Sequence, residues 1–223
     1  MVAAALAFVL LLVMPGEALW RDWSKRRGHS LAHRYSATIA RALALLVALV
    51  IVAKIEGITA AELGIGIRLG IGGFVGLAIA LLVVSGLTAA TLLAKTDPAK
   101  VERHQTHGLM PNNPHELRLF LVLTPLIGFA WELLYRGYLL WWLTPFLGIP
   151  LAVSCASVSY GLAHGWKNAR EGFSSIAAAF LFTIGYAITG SLWWLIIIHI
   201  GLPLIGFMAT HRATASRNAT AET

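Results

Sequence analysis

The stretch Arg118–Trp142, RLFLVLTPLIGFAWELLYRGYLLWW, decides how the chain is read. It is apolar almost throughout and long enough to cross a bilayer, which takes about 20 residues of helix. Two charges stand inside it, Glu132 and Arg136. An ionised side chain at the centre of a membrane helix costs about 2.5–3.5 kcal/mol on insertion scales, so each is a functional candidate. Their i,i+4 spacing puts both on one helical face, where pairing lessens the cost of each. The same spacing also suits a buried ion pair that only fixes helix packing.

Outward from this stretch the pattern repeats. Apolar runs at 2–19, 37–53, 71–94, 149–164, 173–189 and 191–209 join 118–142 to give seven expected spans. Hydrophobic residues make up 58% of the 223 residues and charged residues 12%, against about 25% charged in globular proteins. Much of the chain therefore does not face water. With no water to satisfy the backbone, helices are the expected spans. The fold class is all-α, a polytopic membrane helix bundle. The chain divides into N-terminal helices and loops at 1–112, a helical core at 113–210 and a tail at 211–223.

The net charge of +7 sits in loops, so topology explains it and no nucleic-acid partner is required. With loop 20–36 in the cytoplasm, Lys95, Lys100, Arg103, Lys167, Arg170, Arg212 and Arg217 also fall inside, and only Lys54 and Arg68 fall outside. This agrees with the positive-inside rule. It implies a multi-pass cell-membrane protein with its N-terminus outside and its C-terminus cytoplasmic. The first run, Met1–Met14, lacks the basic residues that open a signal peptide and is expected to be retained. Tryptophans 141, 142, 193 and 194 suit an interfacial belt at the outer face.

Several chemistries are excluded. One cysteine, Cys155, permits no disulfide within the chain. Residues 64–76 are glycine-rich but lack the GK[ST] of a phosphate loop, and Gly66, Gly70, Gly72 and Gly76 are spaced for close helix contact. No HExxH is present. His29, His33, His104 and His107 lie among polar or basic residues and read as solvated loop side chains.

Two other histidines lie on apolar helices: His164 at the end of the fifth run and His199 inside the seventh. Taken singly, each suits a helix-to-helix hydrogen bond. Together with Glu132 and Arg136, three helices each deliver an acid–base group. A carboxylate and two imidazoles can activate water and stabilise an oxyanion. The set Glu132, His164 and His199 can equally bind a divalent metal, because Zn²⁺ accepts two histidines, a glutamate and water.

Three motifs in order carry a resemblance. Trp131-Glu132-Leu-Leu-Tyr-Arg136-Gly137 looks like EExxxR followed by glycine. Tyr160-Gly-Leu-Ala-His164 resembles FxxxH, with tyrosine for phenylalanine. His199-Ile-Gly-Leu-Pro203 resembles HxxxN. Over about residues 115–208 the chain is similar to the CPBP family of CAAX-processing and bacteriocin-processing (Abi, Rce1-like) intramembrane proteases.

The resemblance implies an endopeptidase acting on membrane-embedded or lipidated peptides. Glu132 would activate water, Arg136 would orient the acid, and His164 and His199 would bind metal or stabilise the oxyanion. The family's double description, as metalloproteases and as glutamate-type proteases, leaves a divalent metal (Zn²⁺) optional. Two departures stand out: Trp131 replaces the first glutamate, and Pro203 replaces the asparagine. They make a catalytically impaired relative, a membrane binding, immunity or scaffold protein, the main alternative. A small transporter gated by Glu132–Arg136 is a third reading.

Counting along the helix raises a problem of depth. Glu132 lies about 20 Å from the inner end of its expected span, and His164 sits at the inner end of its own. The two meet only if the helices are staggered or tilted, or if a water-filled cavity enters between them.

Overall fold

The computed structural model describes residues 1–24, 30–94 and 110–221, with side chains described to residue 214. His29, His104 and His107, and most of the loop 95–117, lie outside the described residues. The described residues are mostly helical and contain no strand. Among the described residues, six helical stretches are long and apolar enough to cross a membrane. They are α1 (Val2–Trp23), α2 (Leu31–Glu56), α3 (Ile71–Leu93), α4 (Pro114–Ala163), α5 (Ala169–Thr189) and α6 (Trp193–Ala221). Large apolar side chains such as Phe74, Leu82, Leu181 and Ile188 point outward, as in a bundle solvated by lipid. The stretch read as a tail continues α6 as far as Ala221.

The count of six and the expected count of seven agree once α4 is followed in detail. This stretch is 50 residues long, or about 75 Å if straight, far more than a bilayer's ~30 Å core. It is not straight. Gly148 has φ 71° and ψ 162°, outside the helical region, with Pro145 and Pro150 on either side. A side chain is disfavoured at positive φ, and glycine removes that penalty. The chain folds back there, which brings the rings of Tyr135 and Tyr160 to 5.2 Å between centroids. Its two legs, 114–147 and 149–163, are the expected fourth and fifth spans.

The bend also resolves the depth problem. Glu132 lies sixteen residues before Gly148 and His164 sixteen after it, so both sit about 24 Å from the tip. The first leg then runs on below this level, where Phe120 meets Tyr35 of α2 and Phe207 of α6. The second leg stops at it, and α1 ends beside it, with Asp22 accepting the Trp166 backbone N–H. The helices are staggered, and the polar side chains sit at the step.

Local chemistry fixes these ends. Asn113 and Asn168 cap α4 and α5 by accepting the backbone N–H groups of Glu116 and Glu171. Each glutamate reaches back in turn, Glu116 accepting from the Asn112 backbone N–H and Glu171 from the Asn168 side-chain amide. Gly190, at φ 64°, ends α5 and makes the tight turn into α6. Gly72, Gly73 and Gly76 of α3 pack against that turn and Trp194. Gly66 and Gly70 precede α3 and do not belong to a helical contact face.

α1 is held by hydrogen bonds as well as by packing. A π-helical turn spans Val9–Val13, where bonding shifts from i+4 to i+5. The Leu10 carbonyl there accepts from Ser159 Oγ at 2.7 Å and Tyr135 Oη at 3.3 Å, and Tyr138 Oη donates to the Ala3 carbonyl at 2.5 Å. Three hydroxyls buried in an apolar medium thus find partners on α1, as burial demands.

Two glycines set how closely the helices approach around the polar side chains. A Cβ on Gly128 would lie 2.5 Å from Ile200 Cγ1, and one on Gly161 would lie 2.8 Å from the Ile176 Cα. The first lets α6 come in beside Glu132, and the second seats α5 on the second leg of α4. At Gly161 the obstacle is backbone, so it cannot rotate away. Gly161→Ala is expected to destabilise the protein by about 1–3 kcal/mol, the usual cost of overpacking. Thermal unfolding in detergent micelles tests this, and an unchanged melt would show the helix pair to be loosely packed.

Candidate active site

Glu132 opens a π-helical segment, Glu132–Leu139, inside the first leg of α4. Such wide turns occur often at functional sites. Glu132 is 2% exposed and Arg136 1% exposed. One carboxylate oxygen, Oε2, accepts from Arg136 Nη1 at 2.5 Å. The other, Oε1, lies 2.8 Å from Nδ1 of His199 on α6. The acid therefore has two partners on two helices, and both of its oxygens are engaged. The Arg136 guanidinium also lies 4.3 Å over the Tyr160 ring, a cation–π contact.

The imidazoles are arranged alike. His164 Nδ1 lies 2.9 Å from the Tyr160 carbonyl one turn earlier. A carbonyl and an ionised carboxylate can only accept, so each histidine carries its proton on Nδ1. That tautomer is assigned from the partners and leaves Nε2 as the open nitrogen of each ring. The two rings are 6.5 Å apart between centroids, and Tyr160 lies between their helices, 4.4 Å from His164 and with its hydroxyl 3.4 Å from His199 Nδ1.

A cavity of about 280 Å³ adjoins these groups. Glu132, Tyr160 and His164 line it from α4, Ser175, Ala178, Ala179 and Phe182 from α5, and Leu195, Ile198, His199, Leu202 and Pro203 from α6. The wall is mostly apolar. The structure thus brings Glu132, Arg136, His164 and His199 together, although Arg136 stands behind Glu132 and does not line the cavity. Trp131 does not line it either. It packs edge-on to Tyr135, 6.4 Å between centroids, so the residue standing where the resemblance places an acid leaves the cavity open. Cys155 is exposed on the bundle surface.

The residues expected to hold a metal do not form a metal-binding group. Two rings sharing a tetrahedral Zn²⁺ through one nitrogen each, at 2.0–2.1 Å, have centroids about 5 Å apart, closer than these. Both Glu132 oxygens are committed elsewhere. Among the described residues no three His, Cys, Asp or Glu side chains are placed to hold an ion.

Tyr160 escaped the reading of the sequence. In the sequence it is only the aromatic that opens a histidine motif, but in the structure it contacts three of the site residues at once. The signal was present in the hydroxyl itself: a tyrosine deep in an apolar run needs a partner for its oxygen.

A multi-pass helical bundle thus closes on a buried acid, a guanidinium and two imidazoles beside an open cavity. Residues 113–205 match the family described as type II CAAX prenyl endopeptidase Rce1-like. No curated protein and no solved structure matches the chain significantly.

Proposed function

We propose that the protein is an intramembrane endopeptidase that hydrolyses peptide bonds of membrane-embedded or lipidated peptides, with His199 as general base and Glu132 as its partner. The observation that supports this most is the Glu132–His199 contact at 2.8 Å on the wall of a cavity. A carboxylate on Nδ1 fixes the ring's tautomer and steadies the imidazolium that forms when Nε2 takes a proton. Arg136 pairs with Glu132 and pins its second oxygen.

The reaction then needs one water. Its oxygen bonds to the scissile carbonyl carbon as its proton passes to His199 Nε2, and the carbonyl oxygen takes up the negative charge. The carbon–nitrogen bond breaks as His199 returns the proton to the leaving amine. The products are a carboxylate and an amine. His164, with Nε2 open, accepts a hydrogen bond from the same water and holds it in line. The apolar wall excludes bulk water and suits the apolar part of a membrane-anchored substrate. The excess of basic residues on the side of α1's end and loop 164–168 supports a site reached from the cytoplasm, with the N-terminus outside.

The test is a full-length protein in liposomes containing a fluorescent peptide carried on a lipid anchor. Wild type is expected to release the labelled fragment, and His199→Gln to lower kcat by about 10²–10⁴, the range of general-base catalysis. Because no step passes through a metal, a chelator is expected to leave the rate unchanged. An inert wild type or a fully active His199→Gln would overturn the reading. Rate loss on chelation that zinc restores would replace it with a metal mechanism.

The alternative, a family member without catalysis, draws on a different fact. Both Glu132 oxygens are satisfied, as in a purely structural ion pair. It predicts specific binding of a membrane peptide with no cleavage, and the same assay separates the two.

A further inference from the structure

The proposed reaction places negative charge on the scissile carbonyl oxygen, and the cavity must supply a donor for it. Few groups on its wall can do so. Glu132 only accepts. His164 and His199 have spent their N–H on the Tyr160 carbonyl and on Glu132. Arg136 does not reach the cavity surface. Ser175 Oγ donates to the Gly161 carbonyl at 3.3 Å. Pro203, where the resemblance has an asparagine, carries no donor at all.

Tyr160 remains. Its hydroxyl oxygen is 3.4 Å from His199 Nδ1, whose proton belongs to Glu132. The contact therefore does not consume the tyrosine's own hydrogen, which has no acceptor among the described residues, in a group that lines the cavity. The ring beneath it is fixed on both sides of the site. Arg136 lies over it at 4.3 Å and the His164 ring packs at 4.4 Å. A rigid donor directed into an apolar cavity is what stabilises developing charge most effectively.

We infer that the Tyr160 hydroxyl is the oxyanion donor of this site, a catalytic residue contributed by the position that is phenylalanine in the related motif. The inference rests on the endopeptidase reading above. In the tetrahedral intermediate the phenolic O–H donates to the former carbonyl oxygen. It keeps its proton throughout and is unchanged when the intermediate collapses.

Tyr160→Phe tests it, because it removes one oxygen and leaves the ring, both stacking contacts and the backbone carbonyl that holds His164. In the liposome assay the expected result is a kcat lowered by about 10²–10³ with KM unchanged, the cost of losing one oxyanion donor. A peptidyl phosphinate, whose P–O⁻ mimics the intermediate, is expected to inhibit the variant more weakly by a similar factor, while an uncleavable peptide binds both proteins equally. A donor that only steadied the fold would weaken both ligands or neither. If wild type cleaves, Glu132→Gln does not, and Tyr160→Phe cleaves at the wild-type rate, this inference fails and the endopeptidase stands. If wild type does not cleave, or Glu132→Gln cleaves as wild type does, the endopeptidase fails and carries the inference with it.

Discussion

Glu132→Gln is expected to lower the kcat of peptide hydrolysis by about 10³–10⁴, comparable with the loss of the carboxylate in a hydrolytic triad. The substitution keeps volume and shape but removes the charge. A glutamine presents one oxygen and one NH₂ group, whereas the site offers it two donors, Arg136 Nη1 and His199 Nδ1–H. Only one can be satisfied by the oxygen. With the oxygen on Arg136, the NH₂ faces His199 and forces Nδ1 to accept. The ring proton then moves to Nε2, and the base is lost without any movement of the ring. The liposome assay reads the loss directly, and nitrogen NMR of labelled histidine reads the tautomer. Full activity in Glu132→Gln would remove Glu132 from the mechanism and leave it as packing.

Arg136→Met is expected to have the largest effect on stability. Removing one partner of a buried ion pair strands the other charge, at a cost of about 3–5 kcal/mol. For a chain of this size each kcal/mol moves the melting temperature by about 2–4 °C, so the melt should fall by about 6–20 °C. Methionine fills similar space and retains contact with the Tyr160 ring. The double variant Glu132→Leu, Arg136→Met replaces both charges with apolar side chains. It is expected to recover most of the stability, since exchanging a whole buried pair for apolar groups is often neutral, while remaining inactive. Thermal unfolding in detergent of the wild type, both single variants and the double variant closes the cycle. An Arg136→Met protein that melts with wild type would show that water reaches Glu132 and solvates it.

Most of the architecture could be read from the sequence because its signals are coarse. An apolar run of twenty residues has one physical solution in a bilayer, and seven such runs give a helix bundle. The pairing of Glu132 with Arg136 could be read from spacing on a single helix. What could not be read depends on relations between helices. The site's depth is hidden in the sequence because the apolar run 118–142 places Glu132 by its distance from the inner end of its leg. The level of Glu132 is set instead by its distance from Gly148, which the second leg shares. The partnership of Glu132 with His199 was equally hidden, because they are 67 residues apart and nothing in either helix alone shows which face meets the other. Gly128, which permits that meeting, looks in sequence like any small residue of a membrane helix.

The bend at Gly148 also imposes an order of events while the protein is made. Residues 114–163 return to the side from which they entered, and the tip, WLTPFLGIPL at 142–151, carries no charge. The hairpin can therefore enter the bilayer without dragging a polar loop across it. Glu132, Arg136 and His164 arrive as one unit, the acid already beside its guanidinium. His199 follows only with α6. Until then the acid has one partner, and the proposed base is missing. On the proposed mechanism, a nascent chain is thus inactive towards neighbouring membrane proteins until α6 has docked.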